Sequence, residues 1–127
     1  MKNFFCLFLV ISLVSVCFAE EKNQKGKEET LALFDKCFVE VGKLLTKDDI
    51  DDFKSVSENE VENYHYTIGR LIRNNCGLLE EAKLREYFIK NSIDRPDDMS
   101  MIVLKCYYYH LKGKEFDVEK EVKKSQR

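Results

Sequence analysis

Apolar side chains recur at intervals of three and four residues from Leu31 onwards, and this spacing constrains the fold more than any other feature of the sequence. The segment places Leu31, Phe34, Phe38, Val41 and Leu45 on one helical face. A strand would need alternation with a period of two, and no such alternation persists along the chain. The sequence therefore predicts an all-α fold, a compact bundle of about five to six short helices around an apolar core or cavity.

The next two helices have recognisable start signals. Thr46 followed by Asp48 and Asp49 predicts the N-terminus of a short helix with Phe53 facing inward. Ser57 opens a Ser-x-x-Glu capping box, which predicts a single longer helix. That helix is expected to run from about Glu58 to Cys76 and to end at Gly77, with inner positions Val61, Tyr64, Ile68, Leu71, Ile72 and Asn75.

The second half of the chain continues the helical pattern. Residues 78–91 are helical by propensity, with Leu84 and Phe88 on one side. The only proline, Pro96, marks a break and a new helix start. The last strong helix is expected to run from Met99 to about Lys112 and to end at Gly113. One face of this helix carries Met99, Ile102, Val103, Cys106, Tyr109 and His110. Residues 114–127 form a charged C-terminal tail.

The first 19 residues predict a secreted protein. A lysine, a short apolar run and the small residue Ala19 are typical of a signal peptide cleaved after residue 19, and the run is too short for a membrane span. Residues 20–29 are charged and lack apolar anchors, so they predict a flexible leader. Residues 30–113 remain as one small helical domain.

Net charge excludes one class of partner. The whole sequence carries a formal net charge of −2, and cleavage would remove Lys2 and no acid. A mildly acidic chain lacks the concentrated Lys and Arg that phosphate backbones require. We therefore expect no nucleic-acid partner.

Cysteine number matters because secreted proteins usually pair their thiols. Cleavage would remove Cys6 and Cys17 and leave Cys37, Cys76 and Cys106. An odd number implies one disulfide and one remaining thiol. Spacing alone does not choose among the three pairings.

Candidate catalytic and metal sites are weak in this sequence. Cys106 and His110 lie one helical turn apart, but a zinc site needs three or four ligands. A catalytic cysteine needs an activated thiolate and an oxyanion site, and no motif for these occurs. The acids between Asp48 and Asp52 lack calcium-loop spacing and are typical of a solvated helix end. We expect no enzyme activity, no metal and no cofactor.

The order of these helices resembles the insect odorant-binding proteins, a family of small secreted helical carriers. DKCFVEVGKLLTKDDIDDFKS is similar to the opening of that family, with a first cysteine in helix one, a loop and a short acidic helix. YTIGRLIRNNCGLLEEAKLREYFIKN is similar to the third helix and its glycine turn, and PDDMSMIVLKCYYYHLKG to the helix with the last two cysteines. The signal peptide agrees with this resemblance, which covers most of residues 30–113.

The cysteine pattern departs from that family. Its usual framework has six cysteines in three bridges, whereas here Cys37 matches the first position, Cys106 matches the last, and Cys76 has no assigned counterpart. The family joins its first and third helices by a bridge, so the resemblance implies a Cys37–Cys76 disulfide. Cys106 would then be buried and reduced, or paired with another chain.

The resemblance implies a carrier for a small hydrophobic molecule such as an odorant, a pheromone or a lipid-like ligand. Its cavity would be lined by Phe38, Phe53, Tyr64, Ile68, Leu71, Leu84, Phe88, Ile102, Val103, Tyr109 and His110. Phe116 and Val118 would close the mouth, and a receptor would be a further partner. His65 and His110 are candidates for a pH switch.

A second function remains open. The chain would then be a secreted interaction protein, a venom, salivary or seminal component with a filled core that acts on another protein or as a homodimer. The two functions differ in whether these aromatic residues enclose a cavity on the order of 300 Å³ or more.

Overall fold

The computed structural model describes the backbone of residues 2–126 and the side chains of residues 19–126. Every regular element in that part of the chain is a helix, which confirms the all-α prediction. The elements are α1 (Lys2–Gly42), α2 (Lys47–Ser55), the 3-10 helix η1 (Glu58–Tyr64), α3 (Ile68–Asn75), α4 (Lys83–Lys90), α5 (Pro96–Leu111) and α6 (Val118–Ser125). They form two compact units, Met1–Ala32 and Leu33–Arg127.

The first unit contains the segment predicted as leader. Residues 20–29 are exposed and continue the helix of α1, because Glu, Lys and Gln favour helix even without an apolar face. The signal peptide predicted over residues 1–19 lies almost wholly outside the described side chains, and its cleavage stays a prediction. Among the residues whose placement is described, none of the helices combines the length and apolar character that a bilayer crossing needs.

Thr46 begins α2 as predicted. Its hydroxyl oxygen accepts a hydrogen bond from the Asp49 amide at 3.1 Å, and the Asp49 carboxylate accepts one from the Thr46 amide at 2.9 Å. This reciprocal pair satisfies two amides that the helix leaves without partners. It fixes the start of α2 so that Phe53 is fully buried.

The predicted helix from Glu58 to Cys76 is wrong, because the structure splits it into η1 and α3. Ser57 makes no capping hydrogen bond through its side chain. The break at residues 65–67 is held by Arg73, whose Nη2 donates to the His65 carbonyl at 3.3 Å and whose Nη1 donates to Ser100 Oγ at 2.9 Å. A tertiary contact with α5 therefore holds a break that the local sequence pattern does not predict.

Glycine ends α3 as predicted. Gly77 has a φ of +75°, a left-handed conformation that strains any residue with a Cβ. A Cβ at this position would also lie 2.7 Å from the Cβ of Ala82. The turn therefore requires glycine for two separate reasons.

Helix α5 is the centre of the second unit. Pro96 is its first residue, and half of its 16 residues are buried. Helices α2, α3, α6 and the 3-10 helix η1 all pack against it. Every one of these elements therefore places its apolar side chains on the same helix.

Helix α6 was not predicted, since its residues were assigned to the charged tail. The carboxylate of Asp117 caps it by accepting from the Lys120 amide at 3.2 Å. Val118 and Val122, four residues apart, are buried, and the helix packs against α5. Two inward valines are enough to dock a helix whose other side is charged.

Candidate functional site

The eleven residues predicted to line a ligand cavity lie mainly in the apolar core. The structure buries seven of them, namely Phe38, Phe53, Ile68, Leu84, Phe88, Ile102 and Val103. Tyr64, Leu71 and Tyr109 are half-buried, and His110 is exposed. The predicted set is therefore brought together, except at its outer members.

Aromatic rings in this core pack against one another. The ring centroids of Phe38 and Tyr107 are 5.2 Å apart, those of Phe53 and Tyr107 6.1 Å, and those of Phe34 and Phe88 6.0 Å. These separations are in the range of direct aromatic contact. Each ring therefore fills space that a ligand in the predicted cavity would need.

His110 belongs to this cluster by one face only. Its ring lies 4.8 Å from that of Phe38 and 6.4 Å from that of Tyr107, while the residue remains exposed. The histidine therefore covers the edge of the aromatic core.

The predicted Cys37–Cys76 disulfide is confirmed. It joins the end of α1 to the residue that caps α3, with the two Cα atoms 5.2 Å apart. A cleft of about 300 Å³ lies beside it, and Leu33, Ala82 and Leu84 form part of its lining. The disulfide joins α1 to the end of α3 through two cysteines that are 39 residues apart in sequence.

Cys106 is the free cysteine of residues 19–126, and it is fully buried. Burial first, and then the charges of Glu121 and Asp117, raise the pKa of its thiol to about 12. A thiol with so high a pKa is a poor nucleophile and a poor metal ligand at neutral pH. A disulfide with a second copy would require this buried thiol to become exposed. No group of three or more metal-binding side chains occurs among the described residues.

A second cleft, of about 260 Å³, lies where η1, α5 and α6 meet. Its lining is polar and aromatic: Glu58, Asn59, Val61, Glu62, Lys105, Tyr108, Tyr109, Glu121 and Lys124. Of the predicted ligand residues only Tyr109 lies in it. We call it the η1–α5–α6 cleft.

Charged side chains are paired across and along this cleft. Lys105 Nζ on α5 lies 3.7 Å from Glu62 Oε1 on η1, and Lys124 Nζ lies 3.3 Å from Glu121 Oε1 within α6. Glu121 is only 7% exposed. Its burial between α5 and α6 is stabilised by the Lys124 ammonium.

The tyrosines of α5 form the inner wall of the cleft. Tyr108 donates through its hydroxyl to the Val56 carbonyl and accepts from Lys112 Nζ at 2.7 Å, which fixes its ring. The Tyr109 ring lies 5.6 Å from that of Tyr108 at an angle of 64°. Burial first, and then Glu58, raise the pKa of the Tyr109 hydroxyl. Tyr109 and Glu58 are therefore neighbours across the cleft.

Sequence reasoning missed this cleft because most of its residues are charged. Glu58 and Glu62 are one helical turn apart, and Val118 and Val122 are separated by four residues. Those spacings indicate one face of η1 and one face of α6, but they do not show that the two faces lie beside the same cleft.

Comparison with known proteins gives a family without an assigned function. No curated protein and no solved structure matches the chain. The resemblance to odorant-binding proteins therefore stays a prediction. A family model matches residues 32–111, from the C-terminal quarter of α1 to the last residue of α5. The chain belongs to the family described as a domain of unknown function, DUF6794.

Proposed function

We propose that the protein is secreted and acts by binding a partner through its surface, over a filled core. The observation that carries this proposal is the packing of Phe34, Phe38, Phe53, Phe88 and Tyr107 against one another. A ligand among these rings would have to separate them and lose their mutual contacts. A ligand or partner that binds in a surface cleft would leave these rings in contact.

Secretion is supported by the N-terminal pattern and by the disulfide. A lysine, an apolar run and Ala19 fit a signal peptide, and disulfides persist mainly in oxidising compartments. Binding without catalysis is supported by Cys106, because its thiol is buried and keeps its proton.

Uptake of an apolar fluorescent probe tests this proposal. Delipidated, disulfide-intact protein is titrated with 1-N-phenylnaphthylamine, and a reduced, unfolded sample reports non-specific uptake. We expect no saturable rise in fluorescence from the folded protein. A saturable rise that fatty acids or aliphatic alcohols reverse would contradict a filled core.

A carrier function is the second candidate, and one observation favours it. Helix α6 packs against α5, and its buried apolar residues are Val118 and Val122. A short terminal helix with two buried apolar side chains opens at a lower free energy than the whole domain, so its departure would expose apolar surface to a ligand. If the protein is a carrier, Val122→Ala changes the rate of probe uptake. The matched control Lys120→Ala, at an exposed position of α6, leaves that rate unchanged.

A further inference from the structure

One carboxylate of the η1–α5–α6 cleft is left without a cation. Lys105 already pairs with Glu62 and Lys124 with Glu121, at 3.7 Å and 3.3 Å. In the part of the chain whose side chains are described, Glu58 makes no ion pair. The cleft therefore presents one uncompensated negative charge.

Glu58 stands beside an aromatic wall that accepts cations. The Lys112 ammonium lies 4.6 Å from the centroid of the Tyr108 ring, a cation–π contact. Tyr109, the next ring along the wall, also lines the cleft, is half-buried, and has its hydroxyl beside the Glu58 carboxylate. An ammonium group bound to Glu58 would also meet the electron-rich face of this neighbouring ring.

The same cleft has room for an apolar body. Val61 is buried at its base, and the volume of about 260 Å³ is large enough for a single-ring molecule. The nearby Glu121 carboxylate is buried and already paired with Lys124, so it does not compete with Glu58 for the ammonium of a ligand.

We infer that the η1–α5–α6 cleft binds a primary ammonium group carried on a short apolar body. The ammonium donates to the Glu58 carboxylate, and the body packs on Tyr109 and Val61. This inference rests on the proposed function, for which it names the chemistry recognised. The ammonium belongs either to a free amine or to a lysine side chain of a partner protein.

Three ligands that differ only in head group test the inference. The disulfide-intact chain is titrated with 2-phenylethylamine, 2-phenylethanol and phenylacetate, and amide chemical shifts are followed by NMR. We expect the amine to bind about tenfold or more tightly than the alcohol, with shifts at Glu58, Val61 and Tyr109, because a charged hydrogen bond is lost in the alcohol. Equal affinities for the three compounds, or no shifts in the cleft, would overturn the inference.

Two matched variants locate the site. Glu58→Gln should weaken binding of the amine about tenfold. Glu60→Gln removes an equivalent exposed carboxylate from the same 3-10 helix outside the cleft and should leave binding unchanged. Equal affinities in the two variants would also overturn the inference.

The source of the ammonium is distinguished by adding N-acetyl-lysine amide. Binding of this compound at the cleft supports a lysine side chain of a partner, and binding of 2-phenylethylamine alone supports a free amine. Failure of the proposed function has a different signature, since ligand-dependent shifts would then appear at core residues such as Phe38 and Phe88. If the ligands shift neither the cleft resonances nor the core resonances, the ammonium site is overturned and the proposed function is not.

Discussion

At the scale of single residues, position in the fold decides the chemistry of Cys106. The sequence left open a reactive thiol, a metal ligand and a disulfide partner, because Cys106 and His110 are one turn apart. Placement at the contact of α5 and α6 buries the thiol and puts Glu121 and Asp117 near it. Both effects favour the protonated thiol.

Alkylation tests this placement of Cys106. In the native protein at pH 8 we expect iodoacetamide to modify Cys106 far more slowly than in the unfolded chain, because the thiol is buried and its pKa is about 12. Mass spectrometry after timed quenching measures the two rates. Equal rates would show that the thiol is accessible in the native state.

Alkaline titration gives a second prediction for the same residue. The pKa of Cys106 is raised from 9.0 to about 12, so its contribution to stability is complete below about pH 9 and is lost as pH rises towards 12. One such group lowers the free energy of unfolding by at most about 1.4 kcal/mol per pH unit. Denaturant unfolding at several pH values should show a smaller slope in Cys106→Ala. Tyr107, whose pKa burial also raises, retains part of the slope.

At the scale of helices, two predicted N-terminal caps had different outcomes in the structure. Thr46 and Ser57 have similar sequence contexts, yet only Thr46 completes a capping box. At Ser57 the Glu60 amide donates to the Ser57 backbone carbonyl at 2.9 Å, as in a 3-10 helix, and not to the Ser57 hydroxyl. The break after η1 is held by Arg73, Ser100 and His65, which meet only in the folded chain. Helix starts set by neighbours in sequence were therefore predictable, whereas the break between η1 and α3 was not.

Substitution of both caps checks this difference. Thr46→Ala should destabilise the protein by about 1 kcal/mol, as for loss of a typical N-cap, and Ser57→Ala should change stability by only a few tenths. Asp49 adds a pH effect, because hydrogen bonds from Thr46 lower its carboxyl pKa. That contribution is present above the ordinary pKa of 3.8 and is lost as pH falls. Equal destabilisation by the two substitutions in urea unfolding would contradict this description.

The candidate site could be predicted less well than the core. Apolar spacing identified Phe38, Phe53, Phe88 and Ile102 as inward-facing, because a helical period directly reports one face. The η1–α5–α6 cleft depends on charged side chains such as Glu58, which are exposed in most helices and give no periodic signal. Its third wall, α6, rests on two valines within a charged segment.

At the scale of the whole molecule, the Cys37–Cys76 disulfide and the aromatic core hold the second unit together. Cys37–Cys76 closes a separation of 39 residues, which the chain-entropy model values at about 4 kcal/mol. Because α2, α3, α6 and η1 all pack against α5, these helices share one core. Loss of the disulfide is therefore expected to weaken the whole fold.

Removal of the disulfide checks that expectation. The variant Cys37→Ser/Cys76→Ser should lose about 4 kcal/mol of unfolding free energy in urea relative to the oxidised protein. The reduced wild-type chain, which keeps both sulfur atoms and lacks the bond between them, is the control for loss of the sulfur atoms. An unchanged unfolding midpoint in the double variant would show that packing alone maintains the fold.

Native mass spectrometry of protein purified from the medium of secreting cells tests the central claim most directly. We predict a chain that begins at Glu20, contains one disulfide and carries no small apolar molecule, because the core is filled by its own side chains. A stoichiometric apolar molecule that remains with the folded protein and is released on unfolding would contradict a filled core and favour the carrier function.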